Sequence, residues 1–157
     1  MRSPQEPSGR WYEDFTLGET FDLGARTIGD DDIRRFAEVS GDHNPLHLDD
    51  AYAASSPLGG RVAHGVLGLA AATGLLNAFG LTRGTLVAFA GLTWRFRAPI
   101  RPDETVRATA RVATLRTTSK PDRGLVELDV ELCGEDGEIR QSGRLTFLVR
   151  RRSAAAP

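Results

Sequence analysis

Between Ser40 and His47 the chain reads Ser-Gly-Asp-His-Asn-Pro-Leu-His, which gathers a carboxylate (Asp42), two imidazoles (His43 and His47) and a carboxamide (Asn44) within eight residues. Asp42 and His47 are five positions apart, too far along for one helical face. Pro45, however, fixes its own φ and pushes Asn44 toward an extended conformation, so the segment can fold back and bring both side chains to one cavity. A carboxylate beside an imidazole can hold one water molecule and exchange its protons, provided burial and mutual charge keep both near the working pH. The plainer reading is an Asx turn at Asp42 and Asn44, with His47 hydrogen-bonded inside the core.

The elements around this segment have to position it. Asp30, Asp31 and Asp32 precede an apolar face made by Ile33, Phe36 and Ala37, which predicts a helix capped by an aspartate and stopped at Gly41. The motif therefore begins where a helix ends. Asp49 can cap a short helix through Ala54, which closes before Pro57 and the Gly59-Gly60 turn. The stretch from Ala63 to Ala78 is apolar nearly all round, the mark of a helix surrounded by protein, and Gly80 ends it. His64, Thr73 and Asn77 interrupt its apolar run, so it falls short of a membrane span.

In the second half the period changes to two. Leu92, Trp94 and Phe96, then Val106 to Val112, then Val126 to Leu132, then Leu145, Phe147 and Val149 alternate with polar residues. Four long strands with one wet face are expected, and the short connections between them suggest antiparallel neighbours. Trp11 to Phe21 reads as a short lead-in segment laying Trp11, Tyr12 and Phe15 on the surface, and Leu23 to Ile28 as a further strand. One apolar helix and an antiparallel sheet with one apolar face imply an α+β domain in which the sheet wraps the helix.

At 157 residues the chain fits one domain, spanning residues 10–150, with residues 1–9 as a disordered leader and 151–157 as a disordered tail. A net charge of −1 gives no reason to expect nucleic acid or a membrane surface as partner. The single cysteine, Cys133, excludes an internal disulfide and points to a reducing cytoplasm. Three histidines and scattered acids lack the spacing of a metal site.

The run from Phe36 to Asp49, followed by Tyr52-Ala53 and Gly60-Arg61-Val62-Ala63-His64-Gly65, resembles the hydratase motif of the MaoC-like, (R)-specific enoyl-CoA hydratase family. Arg95 to Thr105 is similar to that family's first long strand and turn. The resemblance implies a hotdog fold and a homodimer whose two sheets join edge to edge. It implies hydration of trans-2-enoyl thioesters, or the reverse dehydration, on acyl-CoA or an acyl-carrier-protein arm, with no metal or other cofactor. The family's catalytic pair falls on Asp42 and His47. Charge must build up on the thioester oxygen as water adds, and the Gly65 amide at the start of the buried helix is suited to meet it. The family's backbone donor falls there too. Thr73 stands where the family commonly has a serine bonded to the catalytic aspartate, Asn44 braces the loop, and His64 is structural support. His43 occupies a variable position. Arg61, Arg95 and Arg97 are candidates for phosphate contacts, though a solvated sheet face explains the last two equally well.

Two rival readings keep the fold and change the activity. A hotdog acyl-thioesterase would hydrolyse rather than hydrate, but such enzymes carry a carboxylate on or near the central helix, and this helix has none. A non-catalytic acyl-binding module would retain the motif as a relic.

Overall fold

Period-two alternation and one apolar helix do set the architecture. The structure, a computed structural model, describes residues 8–152. A 3-10 turn at Tyr12–Asp14 leads into β1 (Thr20–Ile28), α1 (Asp30–Ser40), α2 (Pro45–Leu48), α3 (Asp50–Ser55) and α4 (Gly65–Phe79). Strands β2 (Leu86–Phe96), β3 (Glu104–Thr117), β4 (Arg123–Gly134) and β5 (Ile139–Arg150) complete the chain. The five strands form one antiparallel sheet in the order β1-β3-β4-β5-β2.

The inward positions of β3, β4 and β5 are those the alternation marked. Val106, Val112, Leu128, Leu132, Leu145 and Val149 are buried, and they share one core with Leu67, Ala71, Ala72, Leu75 and Leu76 of α4. Gly80 ends α4 in the left-handed conformation that glycine adopts at no steric cost (φ 81°). Among the described residues no helix is long and apolar enough to cross a membrane.

Four expectations need correction. The strand ending at Phe96 is not a neighbour of the one beginning at Glu104: β2 pairs with β5 at one edge and β3 pairs with β1 near the other, so the short connection crosses the sheet. Alternation shows which way a side chain points but not whether the strand is central or at an edge. As an edge strand, β2 leaves Leu86, Val87, Phe89, Leu92 and Phe96 exposed. The α1 cap is Gly29 rather than an aspartate; Asp32 instead reaches back and accepts from the Gly29 amide (3.1 Å). Phe15 belongs to the core rather than the surface, at 5% exposure.

The Gly9 amide donates to the Arg83 carbonyl (2.8 Å), and Arg151 and Arg152 pair with Glu13 and Asp14. The rest of the expected leader and tail lies outside the described residues. Because Leu128 is wholly buried at the middle of the sheet, Leu128→Ala should lower stability by about 3 kcal/mol through lost burial and a residual cavity, read as a reduced midpoint in urea unfolding.

Candidate active site

The loop after α1 begins with Gly41, a left-handed C-cap (φ 75°) whose amide donates to Ala37 O (2.8 Å). Both Asx interactions of the plainer reading then form: Asp42 Oδ1 accepts from the Asn44 amide (3.2 Å) and Asn44 Oδ1 from the Leu46 amide (3.0 Å). Asn44 thereby caps the four-residue α2, with Pro45 at its first position, where a missing N–H costs nothing. Asn44 takes the extended ψ that Pro45 favours (131°), and the helical turn after it carries His47 back toward Asp42. Asn44 braces the loop through its side chain and meets His47 through its carbonyl, which accepts the His47 amide (2.9 Å).

His47 Nδ1 lies 2.7 Å from the Val62 carbonyl, which can only accept, so this nitrogen carries the hydrogen and Nε2 is the one left to exchange protons. His64 stacks on it, with ring centroids 3.8 Å apart and planes at 30°. The same reasoning puts a hydrogen on His64 Nε2, 2.9 Å from the Asp42 carbonyl. His64 therefore fixes the backbone of one candidate residue and the ring plane of the other. It is buried at 2% exposure, and its Nδ1 has no partner among the described residues. Burial pushes the His64 imidazole below the ordinary histidine value, outweighing the carbonyl hydrogen bond that pulls the other way.

Side-chain donor atoms of Asp42, His47 and His64 all lie within 4.8 Å of one another. Linear spacing showed no such constellation, because His64 arrives from beyond α3. Stacked imidazoles direct their nitrogen lone pairs along nearly parallel planes, whereas a metal needs them to converge on one point at about 2.1 Å. The arrangement suits a water held between a carboxylate and a ring better than a shared ion.

Beside His47 is a cavity of about 460 Å³ lined by His47, Gly65, Phe96, Arg97, Gln141 and further mainly apolar residues; Asp42, expected in the same cavity, is exposed and does not line it. Gly65 opens α4, and neither its amide nor that of Val66 has a hydrogen-bond partner among the described residues. A Cβ on Gly65 would come within 2.8 Å of the Phe96 ring, so close packing requires the glycine independently of any ligand.

The remaining candidates divide. Arg97 lines both the cavity and the outer-face groove, where its Nε donates to Ser142 Oγ (2.9 Å). Arg95 lies on the outer face of the sheet, with Asp129, Glu131 and Arg144, and does not line this cavity. Arg61 is no free cation: its guanidinium bridges Asp30 (2.5 Å) and Asp50 (2.6 Å), reaches the His47 carbonyl (3.3 Å), and so ties α1, α2 and α3 together. Thr73 donates its hydroxyl to Ala70 O of its own helix (2.8 Å) and does not line the cavity, so the expected bond to Asp42 is not formed. His43 is exposed, 4.0 Å from Glu38.

Sequence reasoning missed Gln141. Its carboxamide is buried, receives the Trp94 indole N–H (2.9 Å) and donates to the Gly65 carbonyl (3.0 Å). A lone glutamine inside an apolar alternation, opposite a tryptophan-bearing strand, was the available signal.

A five-stranded antiparallel sheet packed on one buried helix defines a hotdog-type protein. Residues 14–132 match the MaoC like domain, and the chain belongs to that family. It is 32% identical over 149 residues (94% of this chain, 88% of the relative) to a 3-hydroxybutyryl-CoA dehydratase of Methylorubrum extorquens. It is also 32% identical over 141 residues (88% of this chain, 91% of the relative) to an (R)-specific enoyl-CoA hydratase of Rhodospirillum rubrum. The crystal structure of a MaoC-like dehydratase from Rhodospirillum rubrum superposes with a TM-score of 0.81 at 28% identity, covering 93% of this chain and all of that one. A Mycobacterium tuberculosis protein described as a double hotdog fold matches in fold alone (TM-score 0.79, 21% identity, 95% of this chain, 46% of that chain).

A buried neutral histidine makes stability depend on pH. The unfolded chain takes up a proton near the ordinary value of 6.5, the folded chain only at lower pH, so folding loses stability as pH falls below 6.5. Urea unfolding followed from pH 7.5 downward should show this loss, and His64→Phe should flatten that part of the curve.

Proposed function

We propose that the protein hydrates trans-2-enoyl thioesters to (R)-3-hydroxyacyl thioesters, or runs the reverse dehydration. The observation that carries this reading is the approach of the exposed Asp42 carboxylate to within 4.8 Å of the His47 ring, which with the start of α4 lines a mainly apolar cavity. Water held between them has one group to take its proton and another to give one. In hydration Asp42 accepts a proton as the water oxygen bonds to the β-carbon, and electron density moves onto the thioester oxygen. Protonated His47 delivers its Nε2 proton to the α-carbon on the same face, and return of the proton from Asp42 to His47 resets the pair. The Val62 carbonyl accepts from Nδ1–H in both states of the ring, so only Nε2 changes. The Gly65 amide meets the enolate oxygen; removing such a donor typically slows a reaction about 10²–10³-fold. This scheme uses no metal or redox cofactor.

The substrate arm is that of acyl-CoA or an acyl-carrier protein, and Arg97 at the cavity is the cation placed to meet a phosphate. Of the other two candidates, Arg61 is committed to Asp30 and Asp50, and Arg95 stands on the outer face. A second copy of the chain pairs along β2. That edge exposes Leu86, Phe89 and Leu92, whereas the other edge, β1, carries Asp22 and Arg26 and an irregular register at Gly24, the devices that discourage edge pairing.

Pure protein mixed with crotonyl-CoA should remove the conjugated enone absorbance without releasing free thiol. Thiol release would support the thioesterase, and no change across several chain lengths an acyl-binding module. Asp42→Asn and His47→Gln should each lower the rate by about 10²-fold or more; near-normal turnover in either sinks the role given to it. In sedimentation velocity the parent chain should run as a dimer and Leu92→Asp as a monomer.

A further inference from the structure

We infer that Gln141, held by Trp94, is the positioning residue that sets where the start of α4 sits, and with it the Gly65 amide. This rests on the reading of Gly65 given above.

The apolar contacts of α4 with the sheet, through Leu67, Ala71, Ala72, Leu75 and Leu76, are non-directional and would let the helix slide by a fraction of an ångström at small cost. The Gln141 bond to the Gly65 carbonyl is directional, and it joins the first turn to β5. Its orientation is not arbitrary. Trp94 Nε1 can only donate, so Gln141 must turn Oε1 toward it, and Nε2 then faces the Gly65 carbonyl, which can only accept. A flipped amide would set donor against donor and acceptor against acceptor.

Two glycines make room for this relay. A Cβ on Gly68 would fall on the Gln141 carboxamide, and a Cβ on Gly143 would meet first the Thr93 carbonyl and then the Trp94 indole across the β2–β5 pair, so that glycine serves the close approach of the strands as well as the indole. Glycine at Gly68, the fourth residue of α4, costs up to about 1 kcal/mol of helix propensity, and the close approach of a buried amide is the physical reason for it. A buried glutamine bonded at both ends, flanked by two positions cleared for it, is more than is needed to satisfy one carbonyl that already belongs to a helix. Catalytic amides displaced by a fraction of an ångström lose much of their effect, because transition-state stabilisation depends on fixed geometry.

The test measures crotonyl-CoA hydration alongside the absorbance maximum of bound 2,4-hexadienoyl-CoA, whose red shift reports polarisation of the thioester carbonyl apart from turnover. In the parent chain both should be present. Gln141→Met should lower kcat about 10-fold or more with little change in KM and reduce the red shift, and Trp94→Phe, which keeps the carboxamide, should do so less. Gln141→Glu offers a separate readout that needs no cavity or volume change. Its carboxyl must be protonated to donate to Gly65 O, so its activity should fall with rising pH where that of the parent does not. Parent-like kcat and red shift in Gln141→Met, or parallel pH profiles for Gln141→Glu and the parent, would overturn the inference. A parent chain that neither hydrates nor shifts the probe would instead overturn the proposed function on which it rests.

Discussion

A helix that starts inside a protein carries amide groups that its own backbone cannot satisfy, and α4 starts in this way. Its cap residue, His64, supplies no side-chain bond to those amides, and the Gly65 and Val66 N–H groups, on residues that line the cavity, have no partner among the described residues. In most folds such groups are capped by a serine or an aspartate. Here the cap position has been given to a ring that faces the other way, toward the Asp42 carbonyl and the face of His47. The positive end of the helix is thus kept for something other than the chain itself, and the loop bearing Asp42 is tied to the same residue that leaves it open.

Geometry at the site therefore depends on few connections, each spanning separate elements. His64 joins the helix start to the motif loop, Val62 O joins the strand-like approach to His47, Arg61 binds three helices through Asp30, Asp50 and the His47 carbonyl, and Gln141 joins the sheet to Gly65. Between these points the contacts are apolar and tolerant of small shifts. The architecture divides labour: the sheet and the helix face supply most of the burial, and a handful of buried polar groups supply register.

What was legible in the sequence follows the range of the interaction. Asp42 and His47 stand within one turn and a half of chain, and the proline between them made their approach readable; α1 and α4 were readable from periodicity and their glycine stops, and α3 from its Asp49 cap. The partners of Gln141 are 47 and 76 positions away, and His64 meets Asp42 across 22, so no local pattern announces either. Arg61 looked like a free cation because Asp30, 31 positions upstream, is brought to it only by the packing of α1. Thr73 shares a helical face with Gly65 by count, yet a threonine hydroxyl in a helix has a carbonyl three residues back within easy reach and takes it. The alternation of β2 was correct in phase and silent about position in the sheet, which is why its exposed side chains were unforeseen.

The pairing of Arg151 and Arg152 with Glu13 and Asp14 has a consequence for how the domain can be joined to other things. Both ends of the described chain leave from one corner, near Trp11, Leu86 and Arg150, while the cavity lies by Phe96 at the other end of β2. Eleven residues of strand separate them, roughly 35 Å. A linker attached directly at either end of the described residues would start from the side of the domain away from the cavity. With the ends of its described residues side by side, the domain is also suited to circular permutation, in which the ends are joined and the chain reopened at an exposed turn such as residues 135–138.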